Sequence, residues 1–213
     1  MNIQFLEKLS NADGIASNEQ EVRDVLVAEL KEYADEVSTD HLGSIIFKKG
    51  NRGPKIMLCA HIDEVGFIVR SISDMGQVML MSVGGVKPLA QFMQKVRITT
   101  EDGKKIHGII QATYESNAAT KVYVDLGAQT AQEVYDLGIQ VGDMVTYTTE
   151  FEHFALADVV AGKAFDDRLG CFIMGEVLKR LQGIDHPNTV YMVGTSSEEV
   201  GIRGAKTAVY RVN

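Results

Sequence analysis

Lys55-Ile56-Met57-Leu58-Cys59-Ala60 is a mostly apolar run, and it leads directly into His61-Ile62-Asp63-Glu64-Val65-Gly66. A short continuous apolar run of this kind predicts a strand buried on both faces, as in a parallel sheet. His61 then lies at or just beyond the C-terminal edge of that strand, where open α/β sheets build their sites.

The flanking segments supply helices for such a sheet. Ile3, Phe5, Leu6 and Leu9 form an apolar stripe that ends at the turn residues Asn11-Ala12-Asp13-Gly14. Ser17 or Asn18 offers an N-cap for a second helix, with Gln20 or Glu21 completing a capping box. Val22, Val25, Leu26 and Leu30 then recur at helical spacing. Asp167–Leu181 predicts a long helix with Leu169, Phe172, Ile173, Val177, Leu178 and Leu181 inward and Gly183 as its stop. Thr189–Gly194 reads as another buried strand and Ala205–Arg211 as a helix. From Phe67 to about Val160, short β-like runs alternate with glycine-containing turns, and Asp102-Gly103 marks a hairpin. The fold class predicted is α/β: a mostly parallel-sheet domain formed by 1–66 and 160–213, interrupted by a small β-rich inserted domain over 67–159.

Composition narrows the function classes. With 45% apolar and 23% charged residues the chain is globular, which excludes a wholly disordered or collagen-like protein. No apolar run approaches the roughly 18 residues of a membrane span, and the N-terminus lacks the basic and apolar regions of a secretory signal. Twenty-nine acidic against 21 basic residues give a net charge of −8, which argues against a nucleic-acid surface. Cys59 and Cys171 sit in apolar stretches and read as buried thiols of a reducing compartment. The expectation is a cytoplasmic protein with no nucleic-acid and no membrane partner.

Three short stretches carry chemistry. In His61-Ile62-Asp63 an extended backbone points both side chains to one side, placing a carboxylate beside the imidazole whose tautomer it can fix. Alone, the pair serves a structural or solvated role as readily. In Gly162-Lys163-Ala164-Phe165-Asp166-Asp167-Arg168 two adjacent acids open a helix, and ordinary capping accounts for them when they are read alone. One acid suffices for that, so Asp167 can cap while Asp166 projects from the loop with two oxygens able to bridge two cations. In Thr195-Ser196-Ser197-Glu198-Glu199-Val200-Gly201 two adjacent glutamates follow an apolar strand. Such carboxylates repel unless a cation lies between them or one is protonated; the other reading is a solvated acidic turn. Together the stretches offer one imidazole and several carboxylate oxygens, the donor set of a hydrolytic zinc, cobalt or manganese site.

His61-x-Asp63-Glu64-Val65-Gly66, Ala164-Phe165-Asp166-Asp167-Arg168 and Ser197-Glu198-Glu199-Val200-Gly201 resemble the motifs of the glutamyl-aminopeptidase family of dinuclear metallo-aminopeptidases, which includes the tetrahedral (TET) aminopeptidases. Val124-Asp125-Leu126-Gly127-Ala128 and Gly138-Ile139-Gln140-Val141-Gly142-Asp143 are similar to that family's inserted dimerisation domain. The resemblance implies two divalent metal ions (Zn, Co or Mn). It makes His61 a ligand of one ion, Asp166 the bridge, Glu199 a ligand of the second, Glu198 the general base and Asp63 the residue that orients the site. It implies peptide substrates cut at their N-terminal residue, and homo-oligomers from dimer to dodecamer. The family pattern continues with an aspartate on the next strand and a much later histidine, both beyond Asn213. His107, His153 and His186 read as structural or solvated and do not fill those places. The expectation is therefore the N-terminal portion of such an enzyme, without its C-terminal strands and helices, weakly active or inactive alone. A truncated, non-catalytic homologue or assembly module is the alternative. Another dinuclear amide hydrolase is a lesser one. An endoglucanase is disfavoured, because glycoside hydrolysis uses two carboxylates flanking a sugar bond and no metal.

Overall fold

The structure, a computed structural model, describes residues 2–115 and 118–212. Along the chain run α1 (Ile3–Asn11), α2 (Gln20–Leu30), β1 (Glu36–Thr39), β2 (Ile45–Lys49), β3 (Lys55–His61), β4 (Gly66–Ile72), β5 (Val78–Val83), β6 (Lys95–Thr99), β7 (Lys105–Glu115) and β8 (Ala118–Asp125). Next come α3 (Ala131–Asp136), β9 (Met144–Tyr147), β10 (Glu152–His153), β11 (Val160–Ala161), α4 (Phe165–Arg180), β12 (Thr189–Thr195) and α5 (Arg203–Val212). The chain forms two compact units, Met1–Glu64 with Glu150–Asn213, and Val65–Thr149. Residues 150–159 fall in the first unit rather than with the inserted block. There Phe151 N–H donates to Asn11 Oδ1 at 2.9 Å and β10 pairs with β11.

The first unit holds a four-stranded sheet in the order β1-β2-β12-β3. β3 and β12 run parallel, but β2 is antiparallel to both of its neighbours. The sheet is thus mixed, which corrects the expectation of a mostly parallel one. The reversal is made at 40–44, where Asp40 Oδ1 accepts the N–H groups of Leu42, Gly43 and Ser44 at 3.0, 2.9 and 2.8 Å. Gly43 takes φ 103°, which glycine alone adopts at little cost. Asp40 Oδ2 accepts the Thr207 hydroxyl at 2.7 Å, tying this turn to α5.

Burial opposes ionisation of Asp40, yet the Thr207 hydroxyl and the turn amides outweigh it and hold the carboxyl below its ordinary value of 3.8. A folded-state value below the unfolded one stabilises above the unfolded pKa, and that stabilisation is lost as pH falls through the folded value. Asp40→Asn is therefore expected to cost about 1–3 kcal/mol near neutral pH, with the deficit shrinking in acid. Urea unfolding at several pH values checks this. A deficit that stays constant from pH 7 to pH 2 would contradict it.

One sheet face is covered by α1, α2 and α4, whose Phe5, Leu9, Leu26, Leu30, Phe172 and Leu178 pack on Ile45, Phe47 and Met192. Ala208 and Val212 of α5 pack on Ile46 and Val193 of the other face. Two helices depart from their expected patterns. α4 turns Arg168, Cys171, Phe172, Met174, Gly175 and Leu178 inward, leaving Leu169 and Ile173 exposed. A Cβ on Gly175 would fall 2.6 Å from the Phe5 ring, so the missing side chain lets α4 press against α1 on that side. α2 is preceded by Glu19, and neither Ser17 nor Asn18 caps it; Ser17 sits at φ 70°.

β3 also departs from expectation. It is the outer strand, and among the described residues no strand pairs with its far edge. Ile56 is 42% exposed and Cys59 is exposed, while Ala60 and His61 at its end are buried. The buried-thiol reading fails for Cys59. It holds for Cys171, whose thiol burial pushes up to about 12.

The second unit is a closed barrel, β4-β5-β8-β7-β6-β9, with antiparallel pairings throughout. Alternate residues fill it, among them Phe67, Val69, Val78, Val96, Ile98, Ile110, Val124 and Val145. Gly103 at φ 81° closes the β6–β7 turn by donating to Thr100 O. No helix among the described residues is long and apolar enough to cross a membrane.

Candidate metal centre

β3 and β12 lie side by side in parallel register, so their C-terminal ends, His61 and Thr195, are neighbours. The segments leaving each strand therefore emerge at one edge. Ile62 N–H donates to Thr195 O at 2.9 Å and keeps the two exits together.

Asp63 is fully buried, and its carboxylate binds backbone: Oδ1 accepts Glu198 N–H at 2.9 Å and Oδ2 accepts Glu199 N–H at 3.0 Å. The turn closes as Gly201 and Ile202 both donate to Glu198 O at 2.8 Å. Its backbone requires glycine at 201, where φ is 120°. Asp63→Asn would place an amide donor against one of these N–H groups. We expect it to cost about 1–3 kcal/mol in urea unfolding and to weaken divalent-ion binding about 10–100-fold. Parent-like affinity in that variant would show that the turn is held by other means.

His61 is 8% exposed. Its Nδ1 donates to the Asp63 carbonyl at 2.9 Å, which directs Nε2 outward. Nε2 stands 3.1 Å from Asp166 Oδ1 and 3.9 Å from Glu198 Oε2. Burial alone would lower the pKa of His61, but the Asp63 carbonyl, the Asp63 carboxylate, Asp166 and Glu198 together raise it. One ligand atom each from His61, Glu198 and Glu199 lies within 4.8 Å of the others, the one such cluster among the described residues.

Asp166 and Asp167 have non-helical torsions at the head of α4, and the peptide between them is cis. Asp167 Oδ1 accepts Gly170 N–H at 3.1 Å and caps the helix. Asp166 lies outside the cluster of three but within reach of His61, its side chain 91% exposed. Gly170 makes the close approach: a Cβ there would fall 2.8 Å from that of Ala60 on β3. His107 and His153 are exposed, and His186 Nδ1 bonds Asn188 O; none joins the cluster.

The profile of the M42 glutamyl aminopeptidases matches residues 43–213. The chain belongs to the M42 glutamyl aminopeptidase family. The family resemblance carried by the three motifs is thereby borne out, and with it an α/β fold shared with TET aminopeptidases. The crystal structure of a TET aminopeptidase from the marine sediment archaeon Thaumarchaeota archaeon SCGC AB-539-E09 superposes with a TM-score of 0.92 at 37% identity, covering 99% of this chain and 63% of that one. The glutamyl aminopeptidase of Lactococcus lactis subsp. cremoris (strain MG1363) is 31% identical over 98% of this chain and 62% of its own length. The Pyrococcus horikoshii TET1 peptidase, which can assemble into a tetrahedron or a large octahedral shell, has a TM-score of 0.85 at 29% identity, covering 96% of this chain and 63% of that one. This M42 chain spans about six-tenths of the length of the curated relatives it matches.

Beneath the M42 motifs lies a buried ionic network that the sequence motifs do not announce. Lys163 Nζ donates to Glu64 Oε1 at 2.6 Å, Asp13 Oδ1 at 2.7 Å and Ala12 O at 3.1 Å. The fully buried Arg168 donates to Leu9 O, Ile62 O and Ala12 O at 2.6, 2.8 and 3.1 Å, and lies 3.6 Å from Glu64. Two bases and two acids offset one another there, which is how such groups tolerate burial. The signal available in the sequence was the extra charge beside the site acids, Lys163 and Arg168 around Asp166-Asp167, and Glu64 after Asp63.

The donor set fits a divalent metal. An imidazole nitrogen with its other nitrogen fixed, facing carboxylate oxygens, suits zinc, cobalt or manganese.

Proposed function

We propose that this chain carries the metal-binding and acid–base residues of an aminopeptidase that removes N-terminal residues from peptides with water. The observation that supports this most is the convergence of His61, Glu198 and Glu199 within 4.8 Å where two parallel strands end. His61, Asp166 and Glu199 would hold two divalent ions (Zn, Co or Mn). Bound divalent ions would supply Lewis acidity toward the scissile carbonyl and make water a better nucleophile.

The protein's own groups do the rest. The Asp63 carbonyl keeps His61 Nδ1 protonated, so that Nε2 is the nitrogen offered. The Asp63 carboxylate fixes the backbone from which Glu198 and Glu199 leave. Glu198, about one-third exposed, takes a proton from the attacking water and hands it to the leaving amine. Such a site would bind the free N-terminal amine of a peptide, which would confine cleavage to the first residue. The barrel unit would serve as the dimerisation domain; its Met81, Leu89 and Met93 are exposed apolar side chains suited to an interface. Two thiols not joined in a disulfide fit a cytoplasmic setting.

A panel of amino-acid p-nitroanilides, each with and without an N-acetyl group, tests this reading on the protein that carries this chain. Release from the free-amine compounds alone, abolished by a chelator, is expected. Equal cleavage of acetylated compounds, or turnover that survives the chelator, would contradict it.

A further inference from the structure

Glu19 stands immediately before α2, is fully buried, and makes no capping bond to that helix. Its carboxylate reaches instead to the segment that leaves β12. Oε1 accepts Ser196 Oγ–H at 2.6 Å, Ser17 N–H at 3.0 Å and Ser197 N–H at 3.1 Å. Oε2 lies 3.4 Å from Arg23 Nη1, which also donates to Gly43 O at 3.2 Å.

Ser196 is gripped on its other sides as well. Its N–H donates to Ser44 Oγ at 3.2 Å and its carbonyl accepts Gly204 N–H at 2.9 Å. A Cβ on Gly204 would fall 2.3 Å from that carbonyl oxygen, so α5 closes on the turn only because residue 204 is glycine. The next two amides, those of Glu198 and Glu199, are taken by Asp63. Residues 196–199 are thus held by two buried carboxylates, one from the N-terminal loop and one from the exit of β3. Ser197 sits at φ 58°, a left-handed conformation that is unfavourable for a non-glycine residue. The bonds of Glu19 to Ser196 and Ser197 hold it there.

We propose that Glu19 is a positioning residue for the metal centre: it sets the direction in which Glu198 and Glu199 leave the turn. The inference rests on the metal-site reading proposed for this chain. Asp63 acts on the same turn, so the distinguishing claim is that Asp63 alone does not suffice.

Cobalt titrated into the metal-free chain, read by its visible absorption, tests this with His61→Ala as the site control and far-UV circular dichroism as the fold control. Glu19→Ala is expected to weaken cobalt binding about 10–100-fold while the fold is kept, the range for removal of a group that orients metal ligands. Glu19→Gln keeps a carbonyl oxygen where Oε1 stands and is expected to recover most of that loss. Ser196→Ala, which deletes the shortest bond to Glu19 and leaves the carboxylate in place, gives the answer should Glu19→Ala not fold; it is expected to weaken binding by several-fold. Parent affinity in Glu19→Ala, or in Ser196→Ala where that variant decides, would overturn the proposal, as would a Glu19→Gln no better than Glu19→Ala. A parent chain with no saturable cobalt band would overturn the metal reading itself.

Discussion

Lys163→Met is expected to remove about 3–5 kcal/mol of stability, enough to leave the first unit unfolded at moderate temperature. Lys163 is almost completely buried, and its ammonium group is within 2.7 Å of the carboxylates of both Asp13 and Glu64. Methionine fills similar volume but leaves two buried acids with Arg168 as their remaining cation in the network. An uncompensated buried charge is far more destabilising than the loss of the pair's net worth. The exposed pair of Lys8 and Glu29, at 2.6 Å, is the internal comparison. Its geometry is as short, yet Lys8→Met should cost no more than about 1 kcal/mol because water solvates Lys8. Urea unfolding at pH 7 measures both. A loss below about 1 kcal/mol in Lys163→Met would mean that Asp13 and Glu64 do not rely on it.

Glu198→Gln is expected to lower kcat about 10²–10⁴-fold with metal content unchanged. Glutamine keeps the shape of the side chain, and the bond from the residue 198 N–H to Asp63 is a backbone bond that the change leaves alone. The change removes the ability to take a proton from water and return it to the leaving amine. Glu199→Ala differs in kind: it removes a proposed ligand, so metal content and turnover should fall together. Kinetics and elemental analysis on the protein that carries this chain separate the two. A Glu198→Gln enzyme within about tenfold of the parent would move the general base elsewhere.

The parts of the fold that were legible in the sequence are those whose signal is local. β12, α5 and the turn at Asp102-Gly103 arise from periodicity and turn chemistry. The departures come from tertiary contacts. The turn that enters β2 is tied to α5 by Asp40 and Thr207, 167 positions apart in sequence. α4 rolls Arg168 inward and Leu169 outward because four backbone carbonyls and Glu64 await the guanidinium, a demand that hydrophobic patterning does not register. β3 is apolar enough for an interior strand but lies at the rim of the sheet.

In the site, His61, Asp63, Glu198 and Glu199 were readable because each lies at or just past the end of a strand, and two strands in parallel register deliver their exit segments to one edge. The supporting groups were not. Glu19 sat within a plausible capping box, and its bonds to Ser196 and Ser197 span 177 and 178 positions. Lys163 and Arg168 lay inside a recognised motif, but their partners, Asp13 and the carbonyls of Leu9 and Ala12, carry no pattern of their own.

Equilibrium dialysis of the metal-free chain against zinc, followed by elemental analysis, tests the central claim most directly. The metal-site reading predicts saturable binding that is lost in His61→Ala and in Glu199→Ala and kept in His153→Ala, whose imidazole lies outside the cluster. No saturable binding by the parent, or equal binding by the parent and both site variants, would contradict it.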